Sequence, residues 1–162
     1  MATVNGEQPA ASTPLSRDQR DADEPPAEPE ATIAVSVVLP AYNEAKNLTP
    51  LVRETVDALD GREFELVIVD DGSSDDTAHV AERLARLFDP VRFVGLSRNF
   101  GQSAALAAGI DASRGSIVVP MDADGQNDPA DIPALLTRIH DGYDCVSGNR
   151  RDRNDPLAKR LP

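Results

Sequence analysis

The 162 residues are 40% hydrophobic and 27% charged, with a net charge of −12, a balance that suits one globular domain with a real core. The acidic excess argues against a general nucleic-acid binder, which would present a basic face. The single Cys145 excludes an internal disulfide and speaks against a cysteine-based zinc site, and no stretch approaches the ~20 apolar residues that span a bilayer.

Residues 1–32 read as a tail outside that core. They contain no aromatic residue, and Pro9, Pro14, Pro25, Pro26 and Pro29 interrupt any helix. Asp21, Asp23, Glu24, Glu28 and Glu30 add like charge. Such a segment cannot recover its ordering entropy and is expected to be a disordered spacer. It lacks the apolar run behind a basic start that marks a signal peptide. The folded domain is expected over 33–162, in the reducing cytoplasm.

From Ile33 the pattern changes. Ala34 to Leu39 is a β-branched run closed by Pro40. Leu48 to Leu59 follows with an apolar stripe at helical spacing (Leu51, Val52, Thr55, Val56, Leu59), Asn47 being read as its cap. Phe64 to Val69 is a second strand and Thr77 to Leu87 a second helix. Val91 to Leu96 is a third strand, and Ser103 to Ala112 an Ala-rich helix. Ser116 to Met121 is a fourth strand, and Ala130 to His140 a helix with Pro133 near its start. Asp144 to Ser147 reads as a weaker fifth strand. Near-continuous apolar strands alternating with helices predict an α/β fold with a mostly parallel sheet covered on both faces.

In open sheets of this kind ligands bind beyond the carboxyl ends of the strands, and every chemically loaded segment here follows a strand end. The first strand runs into Pro40-Ala41-Tyr42-Asn43-Glu44, where Tyr42 can offer a stacking surface for a base. The second ends in Asp70-Asp71-Gly72. One of these carboxylates can accept a base N–H or ribose hydroxyls while its partner fixes the loop. Ser74, Asp75 and Asp76 behind them are ordinary turn and cap residues. After the third strand, Arg98 can hold a diphosphate or brace the acidic loops, and Gly101 permits close backbone approach.

The fourth strand leads into Asp122-Ala123-Asp124-Gly125-Gln126. Residues two apart in an extended segment point the same way, so both carboxylates can face one point, where they repel unless a cation or proton intervenes. Oxygen-only ligands suit Mg²⁺ or Mn²⁺, and such an ion can bridge a nucleoside diphosphate and neutralise it as it departs. Two other classes share parts of these motifs. A phospho-acceptor receiver would need a downstream Lys, yet none lies between Lys46 and Lys159. A haloacid-dehalogenase-type phosphatase carries its Asp-x-Asp on the first strand of its domain, whereas three strands precede it here. Beyond Gly148, Arg150, Arg151, Arg153, Lys159 and Arg160 form a basic cluster suited to phosphate on a lipid carrier or a membrane surface.

Taken together, Val35 to Glu44, Asp70 to Thr77, Arg98 to Gly109, Asp122 to Pro129 and Gly148 to Arg150 resemble, in order and spacing, the inverting family 2 glycosyltransferases. The likeness is strongest to their polyprenyl-phosphate (dolichol-phosphate mannosyltransferase-like) branch. The resemblance implies a GT-A fold, here incomplete. Pro40, Tyr42 and Glu44 would frame the nucleotide of a UDP- or GDP-linked sugar, with Asp70 and Asp71 at its base and Arg98 in the same pocket. Asp122, Asp124 and Gln126 would serve a divalent metal and the diphosphate, and Arg150 the acceptor phosphate of a polyprenyl lipid at the cytoplasmic face of the membrane. Asp122, Asp124 and Arg150 would thus carry the transfer. His79 and His140 read as structural. The chain ends at Leu161-Pro162, where the resemblance calls for an acceptor-site helix, further strands and often membrane helices. A fragment or short product is therefore expected, with an exposed sheet edge. A catalytically silent nucleotide-binding module is the alternative.

Overall fold

A computed structural model describes residues 34–148; the tail and the basic cluster from Asn149 onward, Arg150 included, lie outside the described residues. Four strands and four helices alternate: β1 (Val35–Ala41), α1 (Ala45–Ala58), β2 (Phe64–Asp70), α2 (Thr77–Leu87), β3 (Val91–Gly95), α3 (Gln102–Ala112), β4 (Ile117–Pro120) and α4 (Ile132–His140). The strands form one sheet in the order β3-β2-β1-β4, and every pairing is parallel. β1 and β2 run side by side from Val35↔Phe64 to Ala41↔Asp70.

Alternation along the strands separates two apolar layers. Val37, Leu39, Leu66 and Ile68 join Leu48, Val52, Ala81, Leu84, Ile132 and Leu136 in the main core, under α1, α2 and α4. Val38, Val67 and Val69 face the other way, onto Ala105 of α3. That second layer is thin because α3 is small-sided. A Cβ on Gly109 would run into Val38 and come within 3.0 Å of Val69, so the helix lies directly on the sheet.

The N-terminal end of the sheet is tied by a buried carboxylate. Glu65 is 1% exposed. It accepts hydrogen bonds from the Ser36 hydroxyl at 2.7 Å and from Arg92 Nη1 at 2.8 Å, as well as from the backbone N–H and Nε of Arg114. Arg92 also donates to the Ala112 carbonyl at 2.7 Å, at the end of α3. Burial alone would raise the Glu65 carboxyl, but the Ser36 hydroxyl, the Arg92 guanidinium and the Arg114 donors outweigh it. They hold the group at about 2, below its ordinary 4.5.

Four details differ from the sequence reading. α1 starts at Ala45, three residues before the predicted Leu48, because the Glu44 carbonyl accepts the Asn47 and Leu48 amides and opens the first turn. Asn47 is therefore inside the helix, donating Nδ2–H to Glu44 Oε2 at 2.6 Å. The last predicted helix divides into a 3-10 turn at Pro129–Asp131, where the Asp128 carboxylate caps Ala130, and α4 proper. Asp144 to Ser147 forms no strand; Asp144, Cys145 and Ser147 are exposed, and only Val146 is half-buried. One inward side chain offers too little apolar surface to hold a strand at the edge.

The Glu65 tie predicts a specific acid sensitivity. Because its pKa falls on folding, its contribution is complete above about 4.5 and is lost as pH drops through about 2. Denaturant unfolding should lose up to about 3 kcal/mol across that window, and Glu65→Gln should be destabilised at neutral pH while flattening that part of the profile. An unchanged acid limb in Glu65→Gln would refute the assignment.

Candidate functional site

A cleft of about 360 Å³ opens where the strands end. The chain steps from β1 outward to β2 and β3, then crosses back to place β4 on the far side of β1. The gap between β1 and β4 is thus the point where the strand order reverses, the usual ligand position in such sheets. Pro40, Ala41, Tyr42 and Glu44 line the cleft from the end of β1, and Asp71 from the end of β2. Asn99, Gly101, Gln102 and Ala105 contribute from the approach to α3 and its first turn, and Asp122, Ala123 and Asp124 from beyond β4.

The Asp-Ala-Asp segment keeps the alternation of the strand before it. Met121 and Ala123 are buried in the main core, while Asp122 and Asp124 on either side of Ala123 both line the cleft. Asp122 Oδ1 accepts Nε2–H of Gln102 at 2.7 Å, and Asp124 Oδ1 accepts the Gln126 backbone N–H at 2.9 Å. Among the described residues no group of three or more His, Cys, Asp and Glu side chains makes a ready cage for a metal. Two carboxylates opening on a cleft are the hard-oxygen set that Mg²⁺ or Mn²⁺ accepts when water and phosphate supply the remaining ligands.

The two acidic residues after β2 divide their work. Asp70 is buried and accepts its own loop's Ser73 amide, 3.3 Å from each carboxylate oxygen. Asp71, also buried, faces the cleft and receives the Phe100 amide on Oδ1 at 2.8 Å and the Gly101 amide on Oδ2 at 2.9 Å. The loops after β2 and β3 can meet this closely because Gly72 has φ 63° and no Cβ; a side chain there would strike the backbone of Arg98 and Asn99. Gly101, at φ 96° and ψ 155°, takes a conformation open essentially to glycine alone.

Of the residues singled out in the sequence, Pro40, Tyr42, Glu44, Asp71, Asp122 and Asp124 come together around the cleft. Asp70 does not line it. Arg98 is exposed, with its guanidinium 4.6 Å from the centre of the Phe100 ring, and is not part of the lining. Gln126 is likewise exposed, on the turn past Gly125.

Sequence reasoning passed over Gln102 and Asn43. Gln102 stood one residue before the predicted helix start at Ser103, and the structure makes it the first residue of α3. Asn43 has φ 59°, a left-handed conformation that asparagine tolerates. Its Oδ1 accepts the Ser74 amide at 2.9 Å and the Asp75 amide at 3.3 Å, and its own N–H donates to Ser73 Oγ at 2.9 Å. With the Glu44 amide donating to Thr77 Oγ1 at 2.8 Å, the loops after β1 and β2 are stitched into one wall. The Thr77 hydroxyl in turn holds the Asp75 carboxyl below its usual range.

Asp71→Asn tests the clamp. The amide keeps the shape but offers one acceptor oxygen to two N–H donors. The variant should lose about 1–3 kcal/mol of stability, and hydrogen exchange at the Phe100 and Gly101 amides should accelerate.

Comparison with known proteins places this arrangement. The model of the family described as Glycosyl transferase family 2 matches residues 36–161. An undecaprenyl-phosphate 4-deoxy-4-formamido-L-arabinose transferase from Pseudomonas fluorescens is 44% identical over 131 residues, covering 79% of this chain and 39% of that protein. Its counterpart in Pseudomonas aeruginosa is 47% identical, with 79% and 39% covered. The chain thus spans about two fifths of the length of these relatives. Among solved structures, the mannosyltransferase PcManGT from Pyrobaculum calidifontis, in complex with GDP-Man and Mn²⁺, superposes with a TM-score of 0.52 at 29% identity. That match covers 72% of this chain and 35% of PcManGT. S. aureus TarS 1-349 in complex with UDP-GlcNAc superposes with a TM-score of 0.54 at 26% identity, covering 66% and 32%. The parallel sheet flanked by helices is therefore the GT-A arrangement, here in part, and the chain belongs to glycosyltransferase family 2.

Proposed function

We propose that this chain is the donor-binding part of a glycosyltransferase that moves a sugar from a nucleotide to a polyprenyl phosphate with inversion. The observation that carries the reading is the pair Asp122 and Asp124, opening on the same cleft as Tyr42 and Asp71 at the reversal of strand order. The relatives named for undecaprenyl phosphate supply the acceptor class. The neighbours bound to UDP-GlcNAc and to GDP-Man with Mn²⁺ supply the donor class.

Tyr42, 46% exposed at the rim, offers its ring to the base. Asp71 uses one lone pair of each oxygen on the α3 turn and keeps others toward the cleft, where base N–H or ribose hydroxyls can reach them. Asp122 and Asp124 would hold Mg²⁺ or Mn²⁺, which when bound offsets the charge of the departing diphosphate. Gln126 would serve the metal and the diphosphate beside the two aspartates, Arg98 would reach the diphosphate from the loop after β3, and Arg150 would meet the acceptor phosphate. A phosphate monoester is largely ionised at neutral pH, so the nucleophile needs positioning and charge balance more than a strong base. The lipid acceptor would bring the protein to the membrane surface, on its cytoplasmic face; among the described residues no helix is long and apolar enough to cross a membrane.

Calorimetry with UDP and with GDP, each with Mn²⁺, checks the donor site. One nucleotide should bind, and Asp124→Asn should weaken it at least tenfold; binding of neither, or indifference to Asp124→Asn, counts against the proposal. Transfer of labelled sugar to a short polyprenyl phosphate separates a working transferase from a silent nucleotide-binding module.

A further inference from the structure

We infer that Gln102 is a positioning residue for the cation-binding pair, holding Asp122 toward the cleft through Nε2–H···Oδ1 at 2.7 Å. This rests on the donor-site reading above and adds a residue to it. Three observations support the role. Gln102 lines the same cleft as both aspartates. Its backbone is not free to drift, because the two amides before it, Phe100 and Gly101, are held by the buried Asp71 carboxylate at 2.8 and 2.9 Å. It is also the first residue of α3, a helix laid tightly on the sheet through Gly109.

The side-chain chemistry suits the task. A carboxylate that binds a cation must be oriented without being neutralised. A Lys or Arg at position 102 would orient Asp122 but compete with the ion for its charge. A neutral amide N–H occupies one lone pair of Oδ1 and leaves the formal charge, and Oδ2, available. Gln102 is exposed and Asp122 half-buried, so the bond itself adds little to folding stability. Its value lies in narrowing the orientations of a ligand before the ion arrives. The path from Asp71 through the 100–101 amides to Gln102 and Asp122 also joins the base end of the cleft to the cation end by hydrogen bonds.

The test is a titration of the 162-residue chain with Mn²⁺ alone, followed by electron paramagnetic resonance, together with the affinity for free UDP or GDP in chelator. Gln102→Ala should weaken Mn²⁺ about 10–100-fold, as loss of a group orienting a metal ligand typically does. Metal-free nucleotide affinity should stay within about twofold and thermal stability should hold, since Ala favours a first helical turn. Gln102→Asn, one methylene short of Asp122, should behave like Gln102→Ala. Unchanged Mn²⁺ affinity in Gln102→Ala, beside a wild-type chain that binds Mn²⁺ and nucleotide, overturns this inference and leaves the donor site standing. Equal losses of Mn²⁺ and metal-free nucleotide binding overturn it as well, since the residue would then only shape the cleft. A wild-type chain that binds neither Mn²⁺ nor nucleotide overturns both readings.

Discussion

The site depends on a buried carboxylate that follows one strand and organises the start of a helix. Asp71 leaves β2 and receives two consecutive amides from the turn that begins α3. A buried anion is costly unless its lone pairs are met, and backbone amides at a helix start meet them with the favourable end of the helix dipole. The cost of burying Asp71 thereby becomes a constraint on where α3 starts. Gly72 and Gly101 exist to allow that approach, one by lacking a Cβ and the other by adopting a backbone conformation closed to other residues.

Most of the architecture was legible because it rests on simple periodicities. Apolar runs of about six residues between helical stripes identified the four strands and four helices of the described residues. Parallel pairing followed from the alternation. The Asp-x-Asp geometry was legible for the same reason, since Met121 and Ala123 are apolar and the residues beside them are not. The fifth strand misled because Asp144 to Ser147 was short and half polar, and only its neighbours could decide.

What stayed hidden was long-range pairing between polar groups. Glu65 looked like one polar residue in an apolar strand, and nothing local revealed that Ser36, Arg92 and Arg114 would surround it from three other segments. Asn43 passes unnoticed after the first strand, because its partners lie 31 and 32 residues away. Arg98 reads from its loop as a diphosphate holder or a brace for the acidic loops, and nothing in the sequence signals that its guanidinium lies over the Phe100 ring at 4.6 Å. Hydrogen-bond partners across a fold carry no periodic signal.

Helix α3 is fastened at both ends. Its last carbonyl region receives Arg92 beside the Glu65 cluster, and its first residue reaches Asp122 across the cleft. Ten steps of about 1.5 Å each, from Gln102 to Ala112, separate these anchors. Losing or gaining one residue inside the helix would shift one anchor by that rise and rotate it about 100°. Loops elsewhere on the surface can absorb length changes, but this helix cannot, so lineages that keep both anchors are bound to keep its residue count.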